Sequence, residues 1–113
     1  MKNGLYSIHI EMLDGVSGRN GGVMVLRDGI IRGGDSHFYY TGSYSFADGK
    51  WKGELVNNEH TPTGGTRPVF GGREVGIGFA GTYTVDGAEG FATALAGKRS
   101  VRFYAVLRLL VEA

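Results

Sequence analysis

Three Asp-Gly steps, at Asp28-Gly29, Asp48-Gly49 and Asp86-Gly87, each separate two stretches of strand-forming residues. An Asp-Gly link between apolar runs is the strongest short-range hairpin signal, because a type I′ turn needs positive φ at both central positions. The chain must therefore double back at close range again and again. Leu5 to Leu13 sets Tyr6, Ile8, Ile10 and Met12 against Ser7, His9 and Glu11, the period of two that marks a strand. Gly21 to Arg27 follows the turn-rich Asp14 to Asn20, and Asp28-Gly29 pairs it with Ile30 to Gly34. His37 to Phe46 keeps Phe38, Tyr40, Tyr44 and Phe46 in phase, and Lys50 to Asn58 sets Trp51, Gly53 and Leu55 against Lys50, Lys52 and Glu54. Glu74 to Thr84 alternates Val75, Ile77, Phe79 and Tyr83 with small or polar residues. Glu89 to Ala96 and Val101 to Glu112 complete the series, although Phe91 to Leu95 and Tyr104 to Leu110 fit a helical period equally well.

About eight short strands at intervals of about 8–12 residues describe a sandwich or an up-and-down barrel, and a simple meander favours the barrel. The expectation is one all-β domain over residues 1–113, an eight-stranded antiparallel up-and-down barrel. His60 to Gly72 holds both prolines and is the longest irregular connection, with room for one short helical turn and the character of a mobile lid. Glycine supports the same fold: it occurs 21 times in 113 residues, where roughly 7 % is ordinary, without the G-X-Y period of collagen. Eight strands enclose a space that side chains fill or that holds one small ligand.

Bulk chemistry narrows the function classes. Twelve basic and eleven acidic residues leave a formal net charge of +1, so no global field draws the chain to nucleic acid. There is no cysteine for a disulfide, a thiolate nucleophile or a thiolate metal ligand. The start, MKNGLYSIHIEM, lacks the apolar h-region of a secretory signal, and Val101 to Val111 is interrupted by Arg102 and Arg108. Its length is also short of the roughly 20 residues a spanning helix needs. These features point to a cytoplasmic chain with no membrane partner.

Catalytic patterns are missing. His9, His37 and His60 have no metal-ligand spacing, and a site would have to assemble across strands with Glu11, Asp35 or Glu59. Gly71-Gly72-Arg73 and Gly76 to Gly81 match no phosphate-binding motif, and no nucleophile elbow occurs. Glu11, Glu54 and Glu74 alternate with apolar neighbours, the ordinary pattern of a solvated strand face. The reading is a protein that is not an enzyme, with no catalytic residues, no metal and no cofactor.

Binding is the remaining role. Tyr40, Tyr44, Trp51 and Phe79 are candidates to line an interior cavity. Tyr39 and Tyr40 are adjacent and must point to opposite faces, so Tyr39 is a candidate interface anchor. The last strand is apolar on both faces, with Val101, Phe103, Leu107, Leu109 and Val111 on one and Tyr104, Val106 and Leu110 on the other. A strand with one solvated face does not need this, and a second subunit covering Tyr104, Val106 and Leu110 accounts for it.

Several strings resemble the GrlR-like family of bacterial proteins: G-L-Y-S at Gly4 to Ser7, G-G-V-M-V-L-R-D-G at Gly21 to Gly29, and I-R-G-G-D-S-H-F-Y-Y-T-G-S-Y at Ile31 to Tyr44. Looser matches follow at Asn58 to Pro62 and Val69 to Gly71. The resemblance implies a lipocalin-like barrel, a homodimer, and negative regulation of type III secretion by sequestering a protein such as a transcriptional activator. The founding regulator of that family carries an acidic run on an exposed loop associated with partner binding; the corresponding stretch here, Phe46 to Lys50, reads F-A-D-G-K and offers Asp48 alone. The alternative role is a carrier or sensor of a small apolar molecule held in the barrel. A hollow interior favours the carrier, and a filled one favours protein binding.

Overall fold

The computed structural model describes residues 1–12, 19–62, 74–96 and 99–113. It is all-β, with no helix among the described residues. The strands are β1 (Gly4–Met12), β2 (Arg19–Arg27), β3 (Ile30–Gly34), β4 (Phe38–Ala47), β5 (Lys50–Glu59), β6 (Val75–Tyr83), β7 (Gly87–Ala96) and β8 (Arg99–Glu112). Each pairs antiparallel with its neighbour in sequence, and β8 closes on β1 to make an eight-stranded barrel. Full closure leaves no open sheet edge.

Two of the Asp-Gly steps are tight hairpin links. Asp28 and Gly29 have φ of 50° and 83°, and Asp48 and Gly49 have 53° and 79°, so both central residues are left-handed as a type I′ turn requires. The third differs. Thr84 to Asp86 form the connection there, with the Thr84 amide donating to the Gly87 carbonyl at 2.9 Å, and Gly87 already belongs to β7. These three links mark the turn end of the barrel. The opposite, loop end carries the β1–β2, β3–β4, β5–β6 and β7–β8 connections. The turn expected at Asp14 to Asn20 and the lid and helical turn expected in His60 to Gly72 fall mainly at 13–18 and 63–73, outside the described residues.

The inward face follows the strand parity. Tyr6, Ile8, Met24, Leu26, Ile31, Tyr40, Tyr44 and Trp51 pack one core cluster, and Val75, Ile77, Val101 and Phe103 pack a second. Phe46 keeps the phase of Tyr40 and Tyr44 yet is 45 % exposed, on the last inward-phase rung of β4 before the turn. Its ring stacks on Tyr44 at 6.2 Å and meets Tyr83 edge-on at 5.4 Å. The expected face of β8 needs one correction. The β1–β8 register shifts so that Leu5 opposes Val111 while Tyr6 opposes Leu109, which leaves Leu110 as the extra residue of a bulge. Val111 therefore leaves the phase of Val101, Phe103 and Leu107 and is exposed.

β7 inverts the usual size rule. Ala88, Gly90, Ala92 and Ala94 face inward and are buried, while Phe91 and Leu95 point outward at 57 % and 67 % exposure. Small inward groups on this wall make room for the rings of Trp51, Phe79 and Phe103, as interiors filled to crystal-like density demand.

Candidate functional site

Inside the barrel, the inward side chains leave a narrow apolar cavity of about 60 Å³. Tyr40, Trp51 and Phe79 line it, with Ile77, Phe103 and Asn57. Trp51 is pinned from two sides: its ring lies 4.6 Å from that of Phe79, and its Nε1 donates to the Glu89 carbonyl at 3.1 Å. Tyr44 is buried against Trp51 in an edge contact at 6.4 Å but is not among the lining side chains. Asn57 is the polar exception. It lies on β5 opposite Tyr40 and Val75, is 3 % exposed, and its Nδ2 finds no hydrogen-bond partner among the described residues.

Tyr40 carries its hydroxyl to the loop end, where it donates to Asp35 Oδ2 at 2.9 Å. Asp35 Oδ1 accepts the amides of His37 and Phe38 at 2.9 and 2.8 Å, so this carboxylate ties the β3–β4 turn together. Burial, followed by the Asp35 charge and the hydrogen bond to it, pushes the Tyr40 phenol far above its ordinary value. Below the ordinary tyrosine value of about 10, folded and unfolded chains both keep the proton and the contribution to stability is complete. Above it the unfolded chain ionises first, so stability falls as pH rises. Denaturant midpoints are expected to drop from about pH 9 to pH 11, and Tyr40→Phe, although less stable at neutral pH, should show a shallower drop. An unchanged slope in that variant would remove Tyr40 from the account.

Outside the barrel, closure brings β7, β8 and β1 into one wall. Tyr104 stands between Phe91 of β7 and Glu11 of β1, and Val106 between Glu89 and His9. The Phe91 and Tyr104 rings lie 5.2 Å apart, and the Tyr104 hydroxyl donates to Glu89 Oε2. That hydrogen bond is the main cause of the raised Tyr104 phenol. Phe91, Leu95 and Val106 are exposed, and Leu110, the bulge residue, is exposed further along β8. Arg102, Arg108, Glu11 and Glu89 are exposed on the same strands.

The remaining candidates do not converge. Tyr39 is exposed on β4, which has three strands between it and β8 in either direction, with its ring 6.5 Å from His60, and Asp48 is exposed in the β4–β5 turn. The structure joins Tyr104 and Val106 on one surface, sets Leu110 further along it, and leaves Tyr39 and Asp48 elsewhere. His9 lies on β1, away from the other two histidines. His37 Nδ1 approaches the Thr61 carbonyl at 3.2 Å and His60 Nε2 the Asp35 carbonyl at 2.9 Å, so both rings bind backbone. No group of three or more histidine and carboxylate side chains fit to hold a metal occurs among the described residues. Glu11, Glu54 and Glu74 are exposed on separate strands or loops.

Phe91, Leu95, Glu89 and Asn57 join these surfaces without having stood out in the sequence. The large–small alternation of F-A-T-A-L was the available signal for the first two. By its architecture the molecule belongs to the closed eight-stranded up-and-down barrels. No family model matches the chain, and no curated protein matches it. No helix among the described residues is long and apolar enough to cross a membrane.

Proposed function

We propose that this chain is a non-catalytic protein-binding barrel that works through the outer β7–β8 wall, pairs with a second copy there, and acts by occupying the surface of a partner protein. The row of exposed Phe91 and Val106 with half-buried Tyr104 carries the reading, because aromatic and aliphatic anchors on an otherwise polar sheet face mark association surfaces. Acidic Glu11 and Glu89 and basic Arg102 and Arg108 occur on one wall, so charges of both signs border the apolar row. The resemblance to GrlR-like proteins supplies the finer proposal: a bacterial, cytoplasmic negative regulator of type III secretion that sequesters an activator. With a two-residue link in place of the acidic loop, Asp48 is a minor contributor, and the partner surface is the apolar wall.

The alternative of an apolar carrier has little room. A cavity of about 60 Å³ is well below the roughly 300–1,000 Å³ of pockets that take drug-sized ligands. Sedimentation over a wide concentration range tests the first reading. Wild-type protein should dimerise, and Phe91→Ser and Val106→Lys should each weaken the dimer on the order of tenfold or more with unchanged far-ultraviolet circular dichroism. A wild-type protein that stays monomeric at high concentration and retains no protein partner would sink the proposal.

A further inference from the structure

The outward side chains of β5 to β8 are uneven in a regular way. These strands lie side by side, so each outward rung crosses all of them. One rung reads Lys52, Ala80, Phe91 and Tyr104, and the next reads Glu54, Gly78, Thr93 and Arg102. All of these are exposed apart from half-buried Tyr104. Large groups stand on β7 and small ones on β6. Past Gly78 and Thr93 the contrast continues, because Gly76 and Leu95 both line a trough of about 670 Å³. Its floor is bare backbone: a Cβ at Gly76 or Gly78 would meet nothing within 4 Å. A ridge of Phe91 and Leu95 therefore runs beside a trough on the neighbouring strand.

Charge follows the same pattern. Glu54 and Arg102 end one rung, with β6 and β7 between them. The ion pairs among the described residues lie elsewhere, Lys2 with Glu112 and Arg27 with Asp28.

A second copy answers shape and charge together when the two-fold axis lies in the interface, parallel to the strands and over the β6–β7 seam. That rotation sets β6 against β7 and β5 against β8 of the facing copy, and each rung keeps its height. Phe91 then faces Ala80, Glu54 faces Arg102 and Lys52 faces Tyr104, and every contact occurs twice, as a two-fold interface requires. Sheets stacked face to face lie about 10 Å apart, within the joint reach of a glutamate and an arginine. Over the β7–β8 seam the same rotation would set Phe91 on Tyr104 and Arg102 on Thr93, large on large with no charge paired.

We propose that the molecule pairs with a second copy across the β6–β7 seam, the Phe91 and Leu95 ridge of each seated over the Gly76 and Gly78 trough of the other, and Glu54 of each paired with Arg102 of the other. The proposal rests on self-association of the outer wall, and adds where the axis lies and which charges select the partner.

Sedimentation equilibrium of the full-length protein at low ionic strength tests the charge pair. Glu54→Arg and Arg102→Glu each bring like charges face to face and should weaken the dimer on the order of tenfold or more. The double variant, with the charges exchanged, should return to within about threefold of wild type. Gly76→Tyr projects into space that is open in its own barrel, so it should keep the wild-type circular dichroism and urea midpoint while the dimer is lost. A dimeric wild type whose association survives Glu54→Arg and Gly76→Tyr, or a double variant as weak as the single ones, overturns the seam and leaves self-association of the wall standing. A wild type that stays monomeric at high concentration overturns both.

Discussion

Replacing Trp51 by alanine is expected to destabilise the barrel by ~3–5 kcal/mol, the usual range for deleting a fully packed large aromatic. Trp51 is the sole tryptophan and is 5 % exposed, so nearly the whole indole would be lost from the core. Its surroundings cannot close over the gap. Gly81 of β6 faces it across the pair, and the inward groups of β7 are Ala88, Gly90 and Ala92, none of which has a side chain that can swing in. The Phe79 ring at 4.6 Å and the Tyr44 ring at 6.4 Å would lose their shared neighbour. The Glu89 carbonyl would lose the Nε1 donor. Domains of this kind have total stabilities of about 5–15 kcal/mol, so the loss is a large share of the whole. Trp51→Phe keeps an aromatic ring and should cost about half as much, chiefly through the missing Nε1 hydrogen bond and the smaller ring. Urea unfolding followed by far-ultraviolet circular dichroism reads both variants without needing the indole. A Trp51→Ala midpoint indistinguishable from wild type would mean that the β6–β7 wall collapses freely, against the packing described above.

Much of this arrangement was legible before any coordinates, because parity in a strand is a local property. Tyr6 and Ile8 on β1, Tyr40 and Tyr44 on β4, and Trp51 on β5 all face inward as their alternation with polar residues requires. The turns at Asp28-Gly29 and Asp48-Gly49 follow from backbone sterics alone. What escaped depends on contacts distant in sequence. In β7 both faces carry apolar residues, and the direction of the strand is decided by size: alanines go inward because Trp51 and Phe79 already occupy the space. The Leu110 bulge arises from how β8 meets β1, the closure that joins the chain's two ends. Asn57 was hidden for the opposite reason. The face that begins with Trp51, Gly53 and Leu55 extends to Asn57 by simple alternation, but a polar residue at a strand's end reads as solvent-facing. Position fixed its direction, while residue type suggested another. The outer wall could not be assembled from one strand either, since Tyr104 meets Phe91 only through the β7–β8 register.

Gly81→Ala and Gly78→Ala, three residues apart on β6 and so on opposite faces of the strand, are expected to move stability in opposite directions because of what lies over each backbone. Both glycines lie in β6, but they do different work. A methyl group at Gly81 would stand 2.5 Å from the Gly90 Cα and press on the Glu89 carbonyl, so the neighbours in its way are backbone atoms of a paired strand. No rotamer relieves that contact. The β6–β7 pair must part, which places the cost at or beyond the ~3 kcal/mol upper range of ordinary overpacking. It would also displace the Glu89 carbonyl that holds Trp51. At Gly78 a Cβ meets nothing within 4 Å, and the residue is exposed. Alanine there restricts the unfolded chain without a steric penalty, so Gly78→Ala should gain ~0.4–1 kcal/mol. Paired urea titrations of the two variants measure the divergence directly. A Gly81→Ala protein as stable as wild type would require β6 and β7 to stand further apart than their register permits, and with them the close wall that leaves Trp51 its place.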